Sequence, residues 1–190
     1  GYGPDAEDVA ETMRQAIKAG AAGLNLEDSS HDPYQPLFET GRAAERVAAA
    51  RAAADGAGVP VVINARTDGY ILGFERNDAL FADTVDRANA YRAAGADCIF
   101  VPAVTDAETI GRLAAEIDGP INILAGPGSP PLSELSALGV ARVSIGSGLA
   151  RAAYTVARRA AEELLGPGTF TFAEGVISHP EMNALMEPTD

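Results

Sequence analysis

Two kinds of segment alternate along this chain, and the alternation limits its fold more than any other sequence feature. Short apolar, β-rich runs stand at 23–27, 59–65, 97–101, 120–124 and 141–145, separated by Ala-rich stretches with helical periodicity. A strand, a helix and another strand in repetition need crossover connections, so the sheet is predicted to be parallel. The runs LNLE, VVINA, CIFV, INIL and RVSI are apolar nearly throughout, as expected of strands covered on both faces. A recurring G-A before the apolar run, with polar residues at the strand ends, favours a (β/α)8 TIM barrel over an open doubly wound sheet. Such a barrel takes about 250 residues, whereas this chain has 190 and shows five strands. Residues 1–168 are therefore read as the C-terminal two-thirds of a barrel, with its first strands expected before Gly1. Residues 169–190 leave the rhythm and form a tail with one short helix, expected at 181–186.

Local signals place the helices. Acidic Asp5, Glu7 and Asp8 suit a helix start, and Val9, Met13, Ala16 and Ile17 share one face of a helix over 5–19 that Gly20 stops. Further helices are expected over 42–54, from Asn77 or Asp78 to 94, over 107–117 behind Thr105 and Asp106, over 131–138 and over 148–165. No apolar run reaches the roughly 18–20 residues of a membrane span. The 14 Lys+Arg against 27 Asp+Glu give a net charge of −13, which repels phosphate backbones and anionic lipid, so neither nucleic acid nor membrane is expected as a partner. A single cysteine, Cys98, fits a reducing cytoplasm and rules out a disulfide framework. It stands inside an apolar strand, as an inert core residue would.

In parallel barrels the reacting groups sit at the C-terminal ends of strands. Here those ends carry Glu27-Asp28, then Asn64, Arg66, Thr67 and Asp68, and later Gly126–Ser129 and Ser144–Gly148. Glu27 and Arg66 end consecutive strands, about 5 Å apart laterally. They pair an acidic group with a fork that clamps carboxylates in bidentate fashion, or else form a structural salt bridge between neighbouring strands. Asn64 shares a side with Arg66 by strand alternation. Asp68 is read as the group that fixes Arg66 or caps the following loop.

These residues lie in segments that resemble the isocitrate lyase/phosphoenolpyruvate mutase superfamily. The matching pieces are GYG at Gly1–Gly3, GAAGLNLED at 20–28, INARTD at 63–68, AYRAAGADCIFVP at 90–102 and LGVARVSIGSGLARAA at 138–153. The chain looks most like the small mutase-like branch. The resemblance implies a barrel enzyme that binds Mg²⁺, or Mn²⁺ in its place, and a small carboxylate substrate, and that stabilises an enolate while a C–C or P–C bond is made or broken. It implies that Glu27 supports the metal through water, that Arg66 binds the substrate carboxylate or oxyanion with Asn64 beside it, and that the Gly1–Tyr2–Gly3 loop lines the substrate. The principal metal aspartates are expected before Gly1. Segment 28–40, DSSHDPYQPLFET, takes the place of the gating loop; within it His31 suits acid–base work near neutral pH, and Tyr34 is expected to pack the closed lid. The resemblance also implies a homo-oligomer, tetramer or dimer, with the tail exchanged between subunits. Departures are specific: the lid has no lysine, the lyases' Lys-Lys-Cys-Gly-His motif is missing, and Ala103 stands where methylisocitrate-type lyases place a glutamate. The expected activity is a C–C lyase; the alternatives are a phosphoenolpyruvate/phosphonopyruvate mutase and a degenerate barrel that binds a metabolite without turnover.

Overall fold

The structure is a computed structural model that describes residues 3–187. The chain forms two compact units that divide between Ile145 and Gly146. Helix 148–165, grouped with the barrel in the sequence reading, therefore clusters with the tail.

The first unit alternates helix and strand: α1 (Ala6–Lys18), β1 (Gly23–Glu27), α2 (Thr40–Ala57), β2 (Val62–Arg66), α3 (Asp78–Ala93), β3 (Cys98–Val101), α4 (Ala107–Glu116), β4 (Ile121–Leu124), α5 (Leu132–Ala137) and β5 (Arg142–Ser144). The five strands pair in parallel in the order β1-β2-β3-β4-β5. Sequential order without reversal is that of a barrel wall; a doubly wound sheet reverses direction at a switch point. The second strand starts at Val62, three residues later than the apolar run suggests. Pro60 has no N–H to give a ladder, and Val61 N–H turns back to the Val59 carbonyl at 2.9 Å.

One face of the sheet meets the helices. Leu26, Ile63, Ala65, Ile99, Val101, Ile121 and Ile123 are buried in one cluster with Val9 and Met13 of α1, Val47 of α2, Leu80 and Ala88 of α3, and Ile110 and Leu113 of α4. Burying each large aliphatic side chain contributes about 1.5–3 kcal/mol, which fixes the sheet's orientation under its helices. Gly23 lets β1 and β2 approach, since a Cβ there would meet the Val62 carbonyl oxygen at 2.5 Å. The other face carries polar residues at alternate positions: Asn25 and Glu27 on β1, Asn64 and Arg66 on β2, and Asn122 bonded to Ser144 on β4 and β5 at 3.0 Å. Cys98 is buried on this polar side, in register with Asn64. Burial pushes its thiol above the usual range, which keeps it protonated and unreactive.

The second unit holds α6 (Gly148–Leu165), a 3₁₀ turn at Thr171–Ala173 that the sequence reading did not foresee, and α7 (His179–Leu185). The Glu163 carboxylate folds the chain back, accepting from Thr169 Oγ1 at 2.6 Å and from the Thr171 and Phe172 amides at 2.6 and 3.1 Å. Ser178 caps α7 and exchanges bonds with Glu181, so this helix starts at His179, two residues before the expected 181. Leu149, Val156 and Leu164 fall on one stripe of α6 and are exposed. Among the described residues no helix is long and apolar enough to cross a membrane.

Candidate active site

The C-terminal ends of β1 and β2 lie side by side, with Glu27 in register with Arg66 and Asn25 with Asn64. Alternation turns all four side chains away from the helix layer. Arg66 is held from two sides. Asp68 takes it in bidentate fashion, Nε to Oδ1 at 2.6 Å and Nη2 to Oδ2 at 3.0 Å, and Nη2 also meets Glu27 Oε2. Both readings of the Glu27–Arg66 pair thus have a part in the geometry: the ion pair exists, and the Glu27 side chain is still 35% exposed. Burial works against the Arg66 charge, but Asp68 and Glu27 outweigh it and its pKa stands above the ordinary value. Burial likewise raises Asp68, with the guanidinium pulling the other way. The expectation that Asp68 fixes Arg66 matches this contact.

Asn64 is buried and donates through Nδ2 to Asn25 Oδ1 at 2.8 Å, while its own Oδ1 has no hydrogen-bond partner among the described residues. Segment 28–40 is a stemmed loop. Ser29 bridges Leu37 in antiparallel fashion, Ser30 N–H donates to Pro36 O at 2.9 Å, and Phe38 N–H donates to Asp28 O at 2.9 Å. His31 takes a left-handed backbone at φ 61°, uncommon for a non-glycine residue. Its ring is exposed, with Nε2 3.8 Å from Glu27 Oε1. Tyr34 does not pack the loop as expected; it is 96% exposed, in an Asx turn where Asp32 Oδ1 accepts its N–H at 2.8 Å.

A cavity of about 620 Å³ opens beside β1, between α1 and the loop stem. Gly3, Asn25, Glu27 and His31 line it. Arg66 and Asn64 sit one strand away, and Arg66 touches the cavity wall through Glu27. Gly3 is held by Arg46, whose Nη2 lies 3.4 Å from the Gly3 carbonyl and whose Nη1 donates to the Glu27 carbonyl at 2.9 Å. Gly1 and Tyr2 lie outside the described residues.

Sequence reasoning passed over Arg46 and the buried partners of Asp28. Arg46 is buried under the Phe38 ring, 4.3 Å from its centroid. The only signal for it was an arginine on the apolar face of an Ala-rich helix. Asp28 is out of phase with Glu27, so it faces the helix side, where Tyr91 O–H donates to Oδ2 at 2.7 Å and the Asp68 amide donates to Oδ1 at 2.8 Å. Burial pushes the Asp28 carboxyl up to about 6, and these two bonds oppose the rise.

Glu27 has the chemistry of an Mg²⁺ partner: a hard carboxylate, partly exposed, at a strand end on a cavity wall. Among the described residues no three His, Cys, Asp or Glu side chains converge as a metal-ligand set. A single carboxylate of this kind suits an ion that keeps several waters and takes few carboxylates, as Mg²⁺ does.

The sequence model of the phosphoenolpyruvate phosphomutase family matches residues 1–165. The chain belongs to this family. Among solved members, a putative lyase/mutase from Burkholderia cenocepacia is 38% identical, with a TM-score of 0.89 over 100% of this chain and 67% of its own. A phosphonopyruvate hydrolase in complex with oxalate and Mg²⁺ is 25% identical, with a TM-score of 0.78 over 97% of this chain and 65% of its own. The 2-methylisocitrate lyase of Escherichia coli is 35% identical over 131 residues, which are 64% of this chain and 40% of the lyase. The chain spans about half the length, or less, of the curated relatives it matches. Membership in the isocitrate lyase/phosphoenolpyruvate mutase superfamily also accounts for the parallel sheet of consecutive strands.

Proposed function

We propose that this phosphoenolpyruvate phosphomutase family chain acts as a Mg²⁺-dependent lyase that cleaves a C–C bond in a small 2-oxo or 2-hydroxy carboxylate through an enolate. The observation that carries the reading is the Glu27–Arg66 pair at adjacent strand ends, with Glu27 on the cavity wall and Arg66 aimed by Asp68. Arg66 anchors the substrate carboxylate or the oxyanion that develops from it. A guanidinium held by a buried carboxylate costs little reorganisation when that charge appears. Asn64, on the same side of β2 as Arg66, orients a substrate hydroxyl or a bound water. Glu27 supports the metal through water, with Mn²⁺ as an alternative to Mg²⁺. When bound, the ion supplies Lewis-acid stabilisation of the enolate. Segment 28–40 closes over the site to exclude solvent, His31 brings an acid–base group to its rim, and Gly3 lines the same cavity.

The second reading, a phosphoenolpyruvate/phosphonopyruvate mutase, draws on the matching family itself. The lid's lack of lysine weighs against it. The reading extends to a homo-oligomer in the cytoplasm, dimer or tetramer, with the tail beyond Gly168 exchanged between copies; the exposed stripe of α6 supports association. The experiment is a screen of 2-oxo and 2-hydroxy diacids for release of a 2-oxo product, with Mg²⁺ and with EDTA. EDTA-sensitive cleavage of one diacid is expected. Oxalate binding without turnover of any diacid would instead favour a metabolite-binding barrel.

A further inference from the structure

Asp28 carries a charge on the apolar side of the sheet. It follows Leu26 in the alternation along β1, and it is 2% exposed. A buried carboxylate persists only where both oxygens are satisfied, and here they have different tasks. Oδ2 serves helix α3: Tyr91 O–H donates to it at 2.7 Å and Arg87 Nη1 lies 3.5 Å away. Tyr91 and Arg87 stand four residues apart and so share one face of the helix. Arg87 is itself held by Asp83, at 2.8 Å, and by the Phe38 carbonyl in the loop stem, at 2.8 Å. Oδ1 serves β2: it accepts the Asp68 amide at 2.8 Å. Asp68 is 1% exposed and spends both carboxylate oxygens on Arg66. The Asp28 amide closes the circuit by donating to the Arg66 carbonyl at 3.2 Å.

A carboxylate needed only for packing would have no reason to hold the amide of the residue that grips Arg66 in bidentate fashion. We propose that Asp28 is a positioning residue for Arg66: anchored on α3, it fixes the Asp68 backbone and thereby the direction in which the guanidinium meets a bound carboxylate. Asp28 itself never touches the ligand. The inference rests on the reading of Arg66 as the carboxylate anchor.

The test is a double-mutant cycle read by calorimetric titration of oxalate in the presence of MgCl₂. It compares the full chain with Asp28→Asn, Asp68→Asn, the two combined, and Arg66→Ala. Asp28→Asn is expected to weaken oxalate about tenfold, the effect of one charge-assisted hydrogen bond. The urea midpoint serves as the check on folding. Because Asp28 acts through Asp68, adding Asp28→Asn to Asp68→Asn is expected to weaken oxalate no further. Equal losses in both backgrounds would overturn the relay, since a general structural effect is additive. Parental affinity in Asp28→Asn alongside lost affinity in Arg66→Ala would overturn the relay and leave the anchor standing. Parental affinity in Arg66→Ala would overturn the anchor itself, and the relay with it. Should Asp28→Asn fail to fold, Tyr91→Phe removes a single hydroxyl. It is expected to cost about threefold in the parental background and nothing beside Asp68→Asn; the same loss in both would contradict the relay.

Discussion

Arg66 and Glu27 compete for and support one another, and their balance decides how a ligand enters. The guanidinium spends Nε and Nη2 on Asp68 and Glu27, which leaves Nη1 to meet a carboxylate. A cation held near Glu27 would draw that carboxylate away from Arg66 and release the fork. Glu27→Gln removes the competitor and the metal partner together. It is therefore expected to leave metal-free oxalate affinity undiminished while cutting the gain from Mg²⁺ by about tenfold, read by calorimetry with and without the ion. A second expectation concerns Cys98. With its thiol protonated by burial, modification by an aromatic disulfide at pH 8 should run at least about tenfold slower in the native chain than in urea. Equal rates would mean that the β3 side of the sheet is open. Glu27 and Arg66 were legible in the sequence because strand ends collect chemistry and alternation assigns a side. Asp28 was not, because its partners Arg87 and Tyr91 lie some sixty residues away, and only the packing of α3 brings them near.

At the level of elements, caps and cores were the readable part. Asn77 accepts the Leu80 amide at 3.0 Å and Asp106 accepts the Thr109 amide at 2.8 Å, which starts α3 and α4 where these residue types predict. Asn77→Ala is expected to cost about 1 kcal/mol and lower the thermal midpoint by about 3 °C, measured by calorimetry or circular dichroism. A larger loss would show that α3 carries the charge relay's stability as well as its own. Ile99, fully buried in the centre of the sheet, sets the upper end of the scale: Ile99→Ala is expected to cost about 2–5 kcal/mol in urea unfolding. What the sequence hid at this scale is geometry made by the chain folding on itself. The ladder across the stem of segment 28–40 joins residues that pattern alone leaves as loop, and the turn at Thr171–Ala173 exists because Glu163 collects four donors from the chain beyond it.

For the whole molecule, the order of the five strands follows from the βα rhythm, since short crossovers of one hand lay each strand beside the last. The division at Gly146 does not follow from that rhythm, because α6 is Ala- and Arg-rich as α2 of the first unit is. The exposed apolar stripe of α6 predicts association. Leu149→Asp and Val156→Asp together are expected to shift the mass seen by light scattering toward the monomer, and an unchanged oligomer would remove the stripe from the interface. The proposed function amounts to one arrangement: a small dianion held between a hydrated cation and Arg66 at the ends of β1 and β2. The most direct measurement is a crystal structure of the chain grown with MgCl₂ and oxalate. An oxalate oxygen is expected about 3 Å from Arg66, with a water of the metal on Glu27 and the Asp68 grip retained. Oxalate bound away from these strand ends, with Arg66 still closed on Glu27, would contradict it.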